Sequence, residues 1–348
     1  MTIEEIKALR LRNQHLLQPQ PMAQVLHDLN GVQAQFVGHA LHALRIRSME
    51  DADSAYLNTV VKGWTVRGTL HLFAQEDLPL YVRCHNGTRY RLNDWSVESF
   101  WNQRPDWALT PERQRMLAEC VLSALQTGEK SREELKAVCR EQGMSAAEER
   151  CMFHGWGGGM RQLCDRGFIH YVVSEKKRYR LCPDYTPMRD KEAELEIMRR
   201  YFTHFGPATL RDAAYYSGQS QAKVKRWMDA LPLRQCLCAD KTYYWIDRDS
   251  PTAARIPDCL FLAGFDQLLL GYEKCESPFF DKAHLRRIFN MTGIVMPTIL
   301  LHGSAVGRWK KEKQKLTLWM FQKTGRGDQS RICAAANALW KDIHIVVE

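Results

Sequence analysis

A chain of 348 residues is longer than one hydrophobic core usually organises, so two or three domains are expected. With 45% hydrophobic and 26% charged residues, and no run near the roughly 18 apolar residues a helical membrane span needs, the composition excludes a disordered chain and a helical membrane protein. The formal charge of +9 points to a polyanionic partner without naming it.

Eleven cysteines are scattered, odd in number and without a CxxC pair, the nearest two being Cys236 and Cys238. Buried free thiols in a reducing, cytoplasmic compartment fit this better than a disulfide or metal framework. The opening MTIEEIKALRLRN reads as an amphipathic helix rather than a signal peptide.

From the start, helices are expected from Ile3, from about Pro21 to Leu29, from about Gln33 to Ile46 and around Asp53 to Lys62, followed by the strand-like TVRGTLHLF. Phe36, Ala40, Leu41 and Leu44 mark the buried face of the third of these. PERQRMLAECVLSALQTG, SREELKAVCREQG and AEERCMFHGWGGGMRQLCDRG then read as three helices, the second opened by Ser131 with Glu134 three residues on. The strands FIHYVVS and KRYRLC follow across EKK. Three helices and a two-stranded wing is the winged-helix order.

That plan recurs in KEAELEIMRRYFTHFG, ATLRDAAYYSG, QAKVKRWMDAL and the strands LRQCLCA and TYYWID, with Gly206 and Gly218 at helix C-cap positions. From about Ile256 to Glu348, five short strands with intervening turns suggest a barrel-like closure. The expected architecture is therefore α+β: three tandem winged-helix units, 1–108, 109–188 and 189–254, then a small C-terminal β-barrel-like domain, 255–348.

Between Ser304 and Arg331, eight basic residues, among them Arg308, Lys310 and Lys311, face only Glu312 and Asp328. Trp309 and Trp319 interleave with them, which favours phosphate contact over a merely solvated face. Arg161 and Arg166 on one expected recognition helix, and Lys223, Lys225 and Arg226 on the other, suit backbone contact rather than base reading. Alternation across Trp64 to His71 sets Trp64, Val66 and Gly68 on one face and Thr65, Arg67, Thr69 and His71 on the other. Arg67 suits a phosphate, and His71 a phosphate, a leaving base or a structural role. Asp77 reads as a helix N-cap. Asp266 lies in the apolar FLAGFDQLLLGY and needs a partner, for which Arg308 is a candidate. HGWGGGM, residues 154–160, follows no strand and has no GK[ST], so it reads as a flexible entry to a helix rather than a nucleotide-binding loop.

The blocks GVQAQFVGHALHALRIRS (31–48), WTVRGTLHLFAQEDLPLY (64–81), FLAGFDQLLLGY (261–272) and PTILLHGSAVGRWK (297–310), in that order and spacing, resemble the AlkZ-like family of bacterial DNA glycosylases. The resemblance spans nearly the whole chain. It implies that Gln33 and Gln35, matching the family's glutamine-aliphatic-glutamine motif, hold the water that attacks the sugar carbon of an alkylated nucleotide; on their own chemistry, His71 and Asp266 are candidate support, Asp266 for the cation-like sugar as the alternative to a structural ion pair.

An amide orients but takes no proton at neutral pH, so a factor of roughly 10²–10⁴ from general-base catalysis is forgone. Only an activated leaving group, such as a purine made cationic by alkylation at N7 or N3, compensates. Two glutamines on one regular helix would face apart; Asn30 and Gly31 read as a helix stop that puts both at the entry turn of the next helix. The bland alternative is that they merely cap that turn.

A monofunctional N-glycosylase is preferred, not required, since the matched motif carries no lysine for a Schiff base while Lys62 lies nearby in sequence. It would act as a monomer on double-stranded DNA bearing an alkylated purine, without metal or organic cofactor. Two non-enzymatic readings compete: a winged-helix transcription regulator and a scaffold that recognises damage.

Overall fold

The computed structural model describes residues 1–65, 67–82, 84, 87–89, 91, 104–247 and 255–348. It is mixed α+β, in two units: Met1–Ala52 with Ile197–Glu348, and Asp53–Glu196. No helix among the described residues is long and apolar enough to cross a membrane. All eleven cysteines are free.

In the 53–196 unit, the helix Pro111–Leu125 starts where Thr110 accepts from Arg113 N. Arg132–Glu141 starts at the expected capping box, with Ser131 and Glu134 satisfying each other's backbone N–H. The expected third helix is two, Ala146–Met152 and Gly158–Asp165. Their junction is packed rather than flexible: a side chain at Gly158 would collide with Cys151 O. Leu117, Val121, Leu135, Met152, Leu163 and Ile169 form the core.

The strand-like stretch from Trp64 to His71 is instead a hairpin, Val60–Trp64 against Leu70–Ala74, with Trp64 opposite Leu70. Its turn is closed by Gly68 N donating to Thr65 O at 2.9 Å, so the expected alternation breaks there; Val66 lies outside the described residues. In the sheet, Leu70–Ala74, Val60–Trp64, Ile169–Tyr171, Arg178–Leu181 and Lys130–Ser131 are neighbours in that order.

In the other unit, the helices Leu210–Ser217 and Gln221–Met228 precede the hairpin Arg234–Cys238 and Lys241–Trp245. Gly218 is the expected left-handed C-cap, at φ 66°. Gly206 is not left-handed; a side chain there would meet Phe202 O and Trp245.

The C-terminal strands do not close a barrel. Among the described residues they form an open sheet, His344–Val347, Lys315–Met320, Ser304–Glu312, Thr298–Leu301 and Cys259–Leu262, with its two outer strands not paired to each other. The helix Arg326–Leu339 covers one face, burying Ile332 and Ala336 with Trp340 against Phe261, Ile299, Trp309 and Leu318. A helix takes the place that barrel closure would have filled.

Two buried polar clusters tie the N-terminal helices to the rest of this unit. Arg47 donates Nη2 to Asp266 Oδ1 at 2.6 Å and Nη1 to Oδ2 at 3.0 Å, with both side chains 0% exposed. Arg47 also donates to Gln14 O and Ala43 O, and Asp266 Oδ1 accepts from Leu268 N. The expected partner Arg308 is thus replaced by Arg47, which reaches Asp266 in a two-pronged pair.

In the second cluster, Asp28 accepts from His15 Nε2 at 2.8 Å and His27 Nδ1 at 2.9 Å, with His204 Nε2 at 3.2 Å. Burial alone would raise the Asp28 carboxyl. The hydrogen bonds from His15 and His27 and the charge of His204 overcome that and hold it well below its usual value.

Each cluster predicts a stability effect. Removing one partner of a buried ion pair strands the other, so Asp266→Ala is expected to cost about 3–5 kcal/mol, read as a fall in the denaturant midpoint, whereas replacing both partners by apolar residues costs less. A folded-state pKa depressed below the unfolded one gives stability that is present above about pH 4 and lost as pH falls. The wild type should therefore lose more thermal stability between pH 5 and pH 2 than Asp28→Asn, which lacks this titration.

Candidate functional site

The glutamine motif sits where a helix has been stopped. After Met22–Asp28 the chain turns through Asn30 and Gly31, at φ 52° and 80°, and Gly31 N donates to Leu26 O at 2.7 Å. Asn30 Nδ2 donates to Ile197 O, and Gly31 O accepts from Gln267 Nε2 at 3.2 Å, anchoring the turn to two distant segments. Val32–Gln33 is extended, and the next helix begins only at Val37.

This later start settles the facing problem. In extended backbone, side chains two residues apart point the same way, and Gln33 Nε2 donates to Gln35 Oε1 at 3.0 Å. Ala34, pointing opposite, is fully buried. Gln33 is buried and Gln35 half-buried. The pair is neutral and hydrogen-bonding only, able to orient a small polar molecule but not to take its proton.

Phe36 departs from expectation. It stands at the N-cap of Val37–Arg45 and is 49% exposed, whereas Ala40 and Leu44 are buried as read. Its amphipathic phase applies only to residues inside the helix. Below it, His42 donates Nε2–H to Phe261 O at 2.8 Å; burial pushes its imidazole down to about 4, so it is neutral at pH 7.

In the 53–196 unit, His71 is buried, with Nδ1 3.1 Å from both Thr69 O and Thr65 Oγ1. Burial first, and then the Arg67 charge, push it down to about 3. A neutral imidazole under the hairpin cannot serve as a charged phosphate contact at neutral pH. Arg67 and Thr69 are half-buried at the turn. Trp64 is half-buried with the Arg161 guanidinium 3.9 Å above its ring, and Arg161 also lies 3.5 Å from Asp165. Arg166 is half-buried at the C-cap of Gly158–Asp165. Lys62 donates to Ser174 O, and its pKa is lowered by burial. Asp77 holds the expected N-cap position, but its side chain makes no capping bond.

The basic positions divide sharply by exposure. Lys225 and Arg226 are exposed on the helix Gln221–Met228, opposite buried Val224 and Met228. Lys310 and Lys311 are exposed on the strand Ser304–Glu312, Lys310 lying 2.7 Å from Glu312. Arg308 is half-buried, its guanidinium 5.2 Å over Trp319. Trp309 is a core residue rather than part of a basic surface: it is 7% exposed and donates Nε1–H to Leu262 O. Strand alternation separates it from its charged neighbours.

Among the described residues, His15, Asp28 and His204 have the spacing of a metal-ligand set, their donor atoms lying within 4.8 Å of one another. The chemistry of the set is also satisfied without a cation, because the imidazole N–H groups donate to the carboxylate. Two of these positions, Asp28 and His204, are the last residues of their helices, where the helix dipole favours positive charge.

The profile of the family described as "DNA glycosylase AlkZ-like" matches residues 26–341. The chain is 25% identical over 352 residues to the "Interstrand DNA cross-link repair glycosylase" of Streptomyces sahachiroi, covering 92% of this chain and 91% of that one. Its fold is similar to that of Streptomyces sahachiroi DNA glycosylase AlkZ, with a TM-score of 0.77, 21% identity and full coverage of both chains. With nearly its whole length matched, from the turn before Gln33 to the end of the C-terminal helix, the chain belongs to the AlkZ-like family of DNA glycosylases.

Proposed function

We propose that this glycosylase hydrolyses the N-glycosidic bond of bulky or cross-linked N7- or N3-alkylated purines in duplex DNA, with Gln33 and Gln35 holding the attacking water. The observation that carries the reading is the 3.0 Å bond from Gln33 Nε2 to Gln35 Oε1, which fixes both amides in one orientation. Gln33 Oε1 and the second lone pair of Gln35 Oε1 then accept the two hydrogens of a water, aiming an oxygen lone pair at the sugar carbon.

As the carbon–nitrogen bond breaks, its electrons neutralise the cationic purine. The water oxygen bonds to the sugar carbon, and the surplus proton passes to solvent. A cationic leaving group makes a proton-accepting side chain unnecessary, and that restricts the chemistry to alkylated bases. The name of the Streptomyces sahachiroi relative, a cross-link repair glycosylase, supports a bulky or cross-linked lesion.

Asp266 supports the site as a structural residue, since both its oxygens are engaged by Arg47 and Leu268 N. His71, buried and neutral, supports the hairpin that carries Arg67 and Thr69. The order of helices and hairpins in 109–188 and 189–254 supports reading both as winged helices, with 1–108 a looser relative and 255–348 a separate β-rich segment. In this reading Arg67, Thr69, Arg161 braced on Trp64, Arg166, Lys225, Arg226, Arg308, Lys310 and Lys311 contact the DNA backbone. A monomer acting in the cytoplasm completes the reading.

Duplex DNA carrying an N7-alkylguanine adduct, scored for abasic sites as alkali-labile breaks, tests the mechanism. The wild type is expected to release the base, and Gln33→Ala/Gln35→Ala to lose release by 100-fold or more while still binding DNA. Equal release by the double variant would remove these residues from the chemistry. Failure of the wild type on methyl, bulky and cross-linked adducts alike would exclude the proposed substrates.

The electrostatic part makes its own prediction. Each phosphate contact contributes roughly 0.9 to the slope of log K against log salt. Lys310→Gln/Lys311→Gln should flatten that slope by about 2 in a binding titration across salt, and an unchanged slope would move the DNA contact elsewhere.

A further inference from the structure

Phe36 is an aromatic ring held with one face backed and the other open. It is stacked on Phe265, with ring centroids 5.6 Å apart and planes 21° from parallel, and His39 meets it edge-on at 6.1 Å. Phe265 is 6% exposed while Phe36 is 49% exposed, so the stack runs from the interior to solvent.

The backing is built at a cost. Phe265 sits at φ 57°, a left-handed conformation that a bulky side chain rarely adopts. It is held there by its N–H to Val295 O at 3.2 Å and by Asp266 next to it, locked to Arg47. Gly264 is needed because a Cβ there would come within 2.9 Å of the His39 ring. Three neighbouring constraints thus hold in place a ring that itself fills no core. Phe36 directly follows Gln35 in the chain, so one short segment carries both the paired amides and the exposed ring.

We propose that Phe36 is the stacking surface for the purine ring of the lesion, and that it favours the alkylated, cationic purine over a neutral one. Stacking a base on an aromatic side chain contributes roughly 1–3 kcal/mol whatever the base. A positive charge spread over the stacked ring adds attraction to the electron-rich face of the phenyl group. The same charge that makes the base a competent leaving group is then the charge that Phe36 recognises. This inference rests on the proposed reading that alkylated purines are the substrate, but its test does not depend on turnover.

The experiment compares binding of two duplexes that differ only in one base: guanine, or N7-methylguanine stabilised against hydrolysis by 2′-fluorination of its sugar. The ratio of the two dissociation constants is measured for the wild type and for Phe36→Leu, Phe36→Ala and Phe36→Trp. Wild type and Phe36→Trp are expected to prefer the methylated duplex about tenfold, and Phe36→Leu, which keeps apolar bulk without a π face, to lose most of that preference along with Phe36→Ala.

The denaturant midpoint and the far-ultraviolet circular dichroism should match in all four proteins, which reports intact folding. A ratio unchanged in Phe36→Leu and Phe36→Ala, or a wild type without preference, overturns the proposal. Base release from alkylated DNA by wild type, with the preference unchanged in Phe36→Leu, would sink the stacking role and leave the glutamine chemistry standing. Lost preference in Phe36→Leu, with no release by wild type, would do the reverse.

Discussion

The glutamine motif owes its geometry to a buried charge pair that it never touches. Arg47 closes the segment that contains Gln33 and Gln35, and its guanidinium engages both oxygens of Asp266 while taking up Gln14 O and Ala43 O. Asp266 in turn caps the short helix Gln267–Leu270, and Gln267 reaches back to Gly31 O, one residue before the extended stretch. The loop is thus closed: a fully desolvated pair fixes Asp266, Asp266 fixes Gln267, and Gln267 fixes the turn that presents the glutamines. Such a pair contributes less net stability than its Coulomb energy suggests, because both charges were taken from water. What it supplies here is register between segments more than two hundred residues apart.

The same constraint extends to the other buried carboxylates of this unit, whose oxygens are already engaged. Asp28, Asp212 and Asp266 are all buried, and each is engaged: Asp28 by histidines, Asp212 by Arg10 and the N-terminus of Leu210–Ser217, Asp266 by Arg47. The field of a carboxylate committed to a guanidinium is largely cancelled at a distance by its partner. The proposed chemistry therefore draws its driving force from the leaving group, and an undamaged purine, which would depart as an anion, finds no acid among these groups to neutralise it.

Much of this was legible from residue order. The capping box at Ser131, the helix stop at Asn30 and Gly31, the C-cap at Gly218 and the C-terminal strands follow from local rules. What escaped was set by tertiary contacts. The partner of Asp266 lies 219 positions away and nothing local distinguishes Arg47 from Arg308. The helix Arg326–Leu339 begins at the end of a basic run that drew attention to charge, although the buried positions Ile332, Ala336 and Trp340 are spaced by four. That missing helix is why an open sheet looked like a barrel. The apparent alternation from Trp64 to His71 failed because a turn with one glycine interrupts it, and period-2 counting is blind to a hairpin that keeps its polar residues in phase.

Phe36 shows how a misread side chain becomes informative. Helical phase assigned it to the core with Ala40 and Leu44, yet it is the residue before the helix, and extended backbone aims it outward. A natural chain that exposes a large aromatic ring ordinarily gains nothing from it, and here the surroundings are costly as well: a left-handed phenylalanine, a glycine kept bare for a histidine ring, and an ion pair beneath. Local rules that are broken together in one place, while holding at the caps and turns elsewhere, mark positions where selection acted on something other than stability. Recognition and departure of a cationic base draw on one property, its delocalised positive charge. In the proposed reading, the segment from Gln33 to Phe36 draws on that property twice, once in binding and once in bond cleavage, without requiring any group that titrates near neutral pH.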